Sequence, residues 1–475
     1  MEINRTIFRL YDIRGSSLID INPTIAYKIG FCFTKMHISK QGNEIFIGRD
    51  GRLSSPALYH ALVNGIISAK GKVSSIGIVP SPVLYFADKI FKPQASIMIT
   101  GSHNHKDDNG FKLLSQGKPF FDQQIQDLLN NILSQDWSTN LIIPKKFLAL
   151  SNIRNLNVTD KYLDRILQGI TIAPQIKVAW DSANGAAGNI IDLLALRLPN
   201  KNIVINSQID GNFPNHHPDP TIPKNLEQLI EIVKTQDCDI GIAFDGDGDR
   251  IGIVSKKGRI ILGDQILGIL AKDVIDQNPN ATIIMDIKSS SSIFNQIKSY
   301  GGNVIMWKTG HSFIKDKMQT TKALLGGETS GHIFFADKYY GYDDAIYAAL
   351  RFVDLLSRSK KTLDDMIDEL PKCYSTPEIK ISVPDNLKFD IIQQIKEDLN
   401  SRNISFNDID GIRVDSHNMP NEFQASKFQR YAWWLLRASN TEAKIIARYE
   451  SDSLEELNSI KLELSSLLAK YGLKL

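Results

Sequence analysis

The chain is poor in cysteine. Cys32, Cys238 and Cys373 are its only three, far apart and with no C-x-x-C. That spacing argues against a disulfide framework and a cysteine-rich zinc site. Long hydrophobic runs are missing too: none approaches the roughly 18 apolar residues of a membrane-spanning helix. Neither sign of charge is in excess. Lysine and arginine number 55 against 53 acidic residues, a net +2, so bulk charge lends no support to a nucleic-acid or membrane surface. Local basic clusters would suit a small anion better. The N-terminal MEINRTIFRLYDIRG lacks the apolar core of a signal peptide. The expectation is a soluble cytoplasmic protein, monomeric, with no nucleic-acid or membrane partner.

What the chain does have is length and repetition. Its 475 residues exceed the roughly 100–200 of a typical domain, and 42% hydrophobic residues suffice for packed cores. NEIFIGRDGRLSSPALYHALVNGIISAKGKVSSIGI reads as strand, glycine-rich turn, helix, glycine stop, strand. IKVAWDSANGAAGNIIDLLALRLPNKNIVIN repeats the order, as does ATIIMDIKSSSSIFNQIKSYGGNVIMW, where Gly301 and Gly302 end the helix. Such units predict βαβ folding and largely parallel sheets. Leu226, Leu229, Ile230 and Val233 fall at helical spacing after Pro223. The C-terminal stretch differs. YAWWLLRAS and AKIIARYES read as two strands joined by a polar loop, before a helix with Leu457, Ile460, Leu464 and Leu467 on one side. The expected fold class is therefore three consecutive βαβ-type α/β domains with mixed or parallel sheets, then an α+β domain. Boundaries are placed near 148, 252 and 368, the last beside the linker prolines Pro371 and Pro377.

Two chemistries overlap in ITGSHNHKDDNGFK. Ser102 follows the apolar run ASIMIT, just past the carboxyl end of a predicted strand, where open α/β sheets place their chemistry. A lone loop serine is more often a turn residue, and no G-x-S-x-G marks a hydrolase elbow. His103, His105, Asp107 and Asp108 offer a metal-like H-x-H-x-D-D run. The next histidines, His216 and His217, supply no ligand spacing to complete it.

A stronger metal signal follows the predicted strand Ile240–Phe244. Asp245, Asp247 and Asp249 alternate with glycines, so three carboxylates converge on a tight turn. Oxygen-only ligands suit a hard cation, Mg²⁺ first. An EF-hand would need glycine and glutamate where Arg250 and Lys256 stand. A phosphatase with Asp245 as nucleophile survives better, although Asp249 occupies its expected Thr or Val position. A merely solvated acidic loop is the bland alternative, disfavoured because three converging carboxylates repel. Arg250 beside these carboxylates fits the neutralisation of a transferring phosphoryl group. Two further loops carry recognition groups. GGETSGH offers Glu328, Ser330 and His332, suited to sugar hydroxyls. RASNTEAK offers Arg437, Ser439, Asn440 and Thr441, suited to a phosphate. Each alone is more often an ordinary loop; together with Ser102 and the aspartates they point to a phosphorylated sugar.

These motifs, in chain order, resemble the α-D-phosphohexomutases, and most closely their bacterial phosphomannomutase/phosphoglucomutase group. FRLYDIRG, GRDGRLSSP, TGSHN…NGFK, DGNFPNHHPDPT, DGDGDR, WKTGHSFIKDKM, GGETSGH, STPEI and RASNTE carry the resemblance over nearly the whole chain. It implies four domains around a central cleft: a phosphoserine-loop domain (1–148), a metal-loop domain (149–252), a sugar-recognition domain (253–368) and a C-terminal phosphate-binding lid (369–475). It implies reversible 1-/6-phosphate interconversion of mannose or glucose phosphates. Ser102 would be the phosphorylated nucleophile, Mg²⁺ the metal at Ser102, Asp245, Asp247 and Asp249, and hexose 1,6-bisphosphate the intermediate and activator. Lys112, His311 and Arg250 would act near the reacting oxygens. Tyr11, Arg14, Lys288, Glu328, Ser330, His332, Arg437, Ser439, Asn440 and Thr441 would hold substrate. Phosphoglucosamine mutase is the nearest rival, followed by the Asp245 phosphatase. Two positions depart from the family pattern: His105 and Ala443 stand where proline is usual. His105 gains an ionisable ring that would reach the phosphoserine when protonated. Asp107 and Asp108 are expected to face solvent.

Overall fold

The fold is that of a computed structural model, which describes residues 3–37, 42–137, 153–415, 431–440 and 443–475. The three repeated segments fold as their patterns require. Glu44–Arg49, Ser55–Ser68 and Lys72–Ile78 form the first strand–helix–strand unit, with the two strands parallel. Lys177–Asp181, Gly188–Arg197 and Lys201–Ile205 form the second. Thr282–Asp286, Ser291–Ser299 and Asn303–Trp307 form the third. In each, the first strand is an apolar run buried on both faces, as parallel strands between helices must be.

The first sheet orders Ile13–Ser16, Asp108–Ser115, Ala95–Ile99, Glu44–Arg49, Lys72–Ile78 and Arg154–Asn155, with Lys118–Pro119 beside Asp108–Ser115. The second orders Ile260–Ile261, Ile251–Ser255, Ile240–Phe244, Lys177–Asp181 and Lys201–Ile205. The third orders Asn303–Trp307, Thr282–Asp286, Leu325–Gly327 and Ile333–Phe335. In the fourth, Lys444–Ser451 pairs antiparallel with Ala432–Ala438, Ile379–Ser382 and Tyr374–Ser375, and Ile412–Asp415 lies beyond Ala432–Ala438. Ile460, Leu464 and Leu467 of the helix Leu454–Ala469 are buried in that domain's core, with Leu457 packed at its margin.

The boundary expected near 252 falls inside a strand. Ile251–Ser255 returns antiparallel along Ile240–Phe244, with Phe244 opposite Ile251, and Ile260–Ile261 extends the same sheet. Its apolar run reads like the start of a new unit, but its partner is the strand just before the aspartates. The boundary expected near 148 lies outside the described residues. Near 368 the helix Leu363–Asp368 ends, and Tyr374–Ser375 already joins the fourth sheet.

One apolar cluster runs from Phe46 and Val83 through Tyr162 and Trp180 to Leu267, Phe352 and Leu370, so the first three units share a core. The C-terminal domain has its own. It docks on the third through a buried contact. Arg413 stacks over the Trp433 ring at 3.8 Å and donates to the carbonyls of Ile287 and Ser289, while Arg448 donates to that of Lys288.

Candidate active site

The loop after Ala95–Ile99 places Ser102 at φ +49°, a left-handed conformation that is unusual outside glycine and is found where a site constrains the chain. What holds it there is Arg52. Its guanidinium is buried, pairs with Asp50 at 3.1 Å, and donates to the carbonyls of Ser102 (2.6 Å), Asn104 (2.8 Å), Asp108 (3.0 Å) and His105. Asp50 also accepts the N–H of Gly101 and the hydroxyl of Ser55. Opposite, Gly246 lets the aspartate loop close in, because a Cβ there would stand 2.5 Å from the Ser102 carbonyl oxygen.

Ser102 Oγ donates to Asp245 Oδ2 at 2.7 Å, linking two loops 143 residues apart in sequence. Asp245 Oδ1 accepts the backbone N–H groups of Asp249 and Arg250. All three aspartates are fully buried, with carboxylate oxygens within 4.8 Å of one another. Asp247 Oδ1 and Asp249 Oδ1 are buried with no hydrogen-bond partner. Orphaned carboxylate oxygens facing one another are the donor set of a hard divalent cation. Lys112, from Asp108–Ser115, donates to Asp247 at 2.7 Å and also to Asp249. Burial alone would depress its ammonium, but Asp247 and Asp249 prevail and hold it well above the ordinary lysine range. Burial and the Asp249 and Asp247 charges push the Asp245 carboxyl well up; Asp247, with Lys112 and Ser81 on it, goes down.

Arg250 Nε lies 3.0 Å from His332 Nε2. His332 Nδ1 is 3.6 Å from Asp249 and 3.3 Å from Asp343. Asp343 also lies 3.6 Å from His311 and pairs with Lys315 at 2.8 Å. Burial, then the Lys315 charge, keep the His311 ring well below the usual histidine range. Tyr11 meets that ring edge-on at 5.4 Å, and burial pushes its hydroxyl up to about 12. Arg14 pairs with Asp12 and donates to Asn104 in the Ser102 loop.

The other residues expected to hold substrate come from the third and fourth domains. Glu328 accepts the Gly310 N–H at 2.6 Å, and burial raises its carboxyl. Ser330 is half-buried in the turn between Leu325–Gly327 and Ile333–Phe335. Lys288 is held on Glu378 at 2.6 Å, and Arg437 on Asp410 at 3.0 Å. Ser439 is buried and Asn440 half-buried; Thr441 lies outside the described residues.

Some expectations need correcting. His105 does not turn toward Ser102. Its exposed ring lies 3.4 Å from Asp107, while its carbonyl serves Arg52. Asp107 keeps a largely exposed side chain, as expected, while its carbonyl accepts both Ser17 donors; Asp108 is half-buried and accepts from Asn104. Among the described residues, the groups able to hold a metal are the three aspartates and Asp249–His332–Asp343; neither includes His103 or His105. Arg52, Asp343, Asp410 and Glu378 were missed as individuals. Arg52 sits in GRDGRLSSP, and Glu378 in STPEI, both already noted as landmarks. Asp343 left only the adjacent-acid signal of GYDDA, where Asp344 caps the helix Ala345–Arg358.

Ser102 at positive φ, three buried carboxylates against it, and loops of two further domains that bring carboxylate, hydroxyl and guanidinium groups make an arrangement suited to a phosphorylated sugar. Family models described as phosphoglucomutase/phosphomannomutase match throughout: alpha/beta/alpha domain I over residues 5–139, domain II over 160–258, domain III over 262–374 and the C-terminal domain over 378–467. The chain belongs to the phosphoglucomutase/phosphomannomutase family. It is 40% identical to the phosphomannomutase/phosphoglucomutase of Pseudomonas putida over 456 residues, 96% of this chain and 94% of that one. It is 37% identical to the phosphoglucomutase of Neisseria gonorrhoeae, over 97% of this chain and 96% of that one. A solved phosphoglucomutase/phosphomannomutase family protein from Burkholderia thailandensis superposes with a TM-score of 0.86 at 34% identity, covering 98% of each chain.

Proposed function

We propose that the protein interconverts the 1- and 6-phosphates of a hexose, mannose or glucose, through phospho-Ser102 and a hexose 1,6-bisphosphate. The observation that carries this is the buried Ser102 Oγ, 2.7 Å from Asp245 in a carboxylate trio with unmatched oxygens. Phospho-Ser102 gives its phosphoryl group to the free hydroxyl of the substrate. The bond from phosphorus to Oγ breaks as the bond to the sugar oxygen forms; the sugar hydroxyl gives its proton to a neighbouring base, and Oγ takes one up to become the serine hydroxyl again. The bisphosphate then turns end for end, and its other phosphate returns to Ser102. Added bisphosphate activates by loading unphosphorylated Ser102.

Asp245, Asp247, Asp249 and the serine phosphate would hold Mg²⁺, which supplies positive charge to the phosphoryl oxygens. Lys112 and Arg250 add protein charge beside the same oxygens. His332 and His311 stand ready to move or hold the hydroxyl proton. Tyr11 and Arg14 close the site from the first domain. Glu328 and Ser330 orient sugar hydroxyls. Arg437, Ser439, Asn440 and Thr441, with Lys288 nearby, grip the phosphate that is not reacting.

The test is incubation with glucose 1-phosphate or mannose 1-phosphate, Mg²⁺ and a trace of the matching bisphosphate, following the 6-phosphate. Formation of 6-phosphate from either sugar is expected. Release of inorganic phosphate alone would favour the Asp245 phosphatase. Turnover confined to glucosamine phosphates would favour the amino-sugar mutase.

A further inference from the structure

Asp410 belongs to none of the motifs that marked the site, yet it joins two of them. Its Oδ2 accepts Arg437 Nε at 3.1 Å and its Oδ1 accepts Arg437 Nη2 at 3.3 Å, a two-point match of carboxylate to guanidinium. The same Oδ2 accepts the backbone N–H of Thr309 at 3.0 Å. Thr309 precedes Gly310, whose N–H goes to Glu328, and His311, which begins the helix His311–Thr321. Arg437 lies on Ala432–Ala438 of the fourth sheet, whereas Thr309 follows Asn303–Trp307 of the third. One carboxylate thus ties the C-terminal domain's arginine to the backbone beside the sugar loop.

We propose that Asp410 is a positioning residue for the phosphate clamp: it fixes the plane of the Arg437 guanidinium and registers it against the 309–311 backbone. The proposal rests on the reading of Arg437 as the ligand of the distal phosphate. A guanidinium on a four-bond stem has many rotamers. A carboxylate on its Nε edge selects one before phosphate arrives, so less freedom is lost on binding. Asp410 itself touches no reacting atom. If it were instead only a competing anion that the phosphate must displace, its removal would tighten binding.

The experiment compares full-length Asp410→Ala, Asp410→Asn, Arg437→Ala and the Asp410→Ala/Arg437→Ala double variant. Each is measured by steady-state kinetics and by calorimetric titration with glucose 1-phosphate. Asp410→Ala should raise KM and Kd about tenfold while kcat stays within about threefold. Asp410→Asn keeps one acceptor oxygen and should fall between it and the unaltered protein. The double variant should bind no more weakly than Arg437→Ala alone, because Asp410 acts through that arginine. Unchanged or tighter binding in both Asp410 variants, or losses that multiply in the double variant, overturns the proposal. Should Asp410→Ala fail to fold, the isosteric Asn variant carries the same comparison, alone and combined with Arg437→Ala. Unaltered protein that neither binds nor turns over glucose or mannose 1-phosphate would refute the functional reading itself. Normal binding by Arg437→Ala would refute the clamp.

Discussion

Around Ser102, oxygens of Asp247 and Asp249 are buried with no hydrogen-bond partner, whereas across the site Arg437 already rests on Asp410 and Lys288 on Glu378. The first arrangement is short of positive charge even with Lys112 present. On the proposed reading a further cation would offset the negative charge and be held firmly. The second has cations whose charge is partly spent. On the proposed reading, a phosphate arriving there would meet cations whose orientation is already fixed and whose charge is shared with carboxylates that stay in place. The contrast suits a mutase: the transferring end must be fixed in place, while the distal end must release and rebind as the intermediate turns.

The largest expected effect is at Ser102. Ser102→Ala should reduce transfer to background and leave glucose 1-phosphate binding nearly intact by calorimetry, because the groups expected to hold substrate are untouched. Arg52 comes next. Arg52→Met removes one partner of a buried ion pair and strands the carbonyls of Ser102, Asn104 and Asp108. A loss of about 3–5 kcal/mol is expected. Urea unfolding measures it, and turnover should fall with it as the Ser102 loop loosens; unchanged stability would mean the loop is held by something else.

The third effect concerns charge at the aspartates. Asp247→Ala should cost turnover about 100-fold or more, since even outer-shell changes at metal sites cost 10–100-fold. Chelator-treated protein should be inactive until a divalent cation returns, and full turnover after chelation would remove the metal from the account. The smallest effect lies on the other side of the comparison. Arg437→Ala should weaken glucose 1-phosphate binding by about 2–3 kcal/mol, roughly 30- to 150-fold, through loss of a charged hydrogen-bonded contact. It should also let free bisphosphate accumulate, which chromatography detects; binding without leakage would mean that another group retains the intermediate.

Much of the transferring side was legible in sequence, because its information is local. The trio Asp245, Asp247 and Asp249 is contiguous, and an apolar run marks the strand that delivers it. Ser102 likewise follows a visible strand. What was not legible is pairing at a distance. Nothing local to Arg52 says that it reaches carbonyls 50 to 56 residues onward. Asp343 serves His311 and Lys315 of the helix His311–Thr321 and His332 of a separate turn. Asp410 acts across a domain boundary. The misplaced boundary near 252 has the same origin: Ile251–Ser255 has the composition of any buried strand, and only its antiparallel partner assigns it to the second sheet.

The central claim is that Ser102, and not Asp245, carries the phosphoryl group. The direct measurement loads the protein with radiolabelled hexose 1,6-bisphosphate, denatures it, and treats it with hydroxylamine before peptide mapping. A serine ester survives that treatment and an acyl phosphate does not. A hydroxylamine-stable label on the peptide containing Ser102 is the expected result. A hydroxylamine-labile label on the peptide containing Asp245 would contradict it.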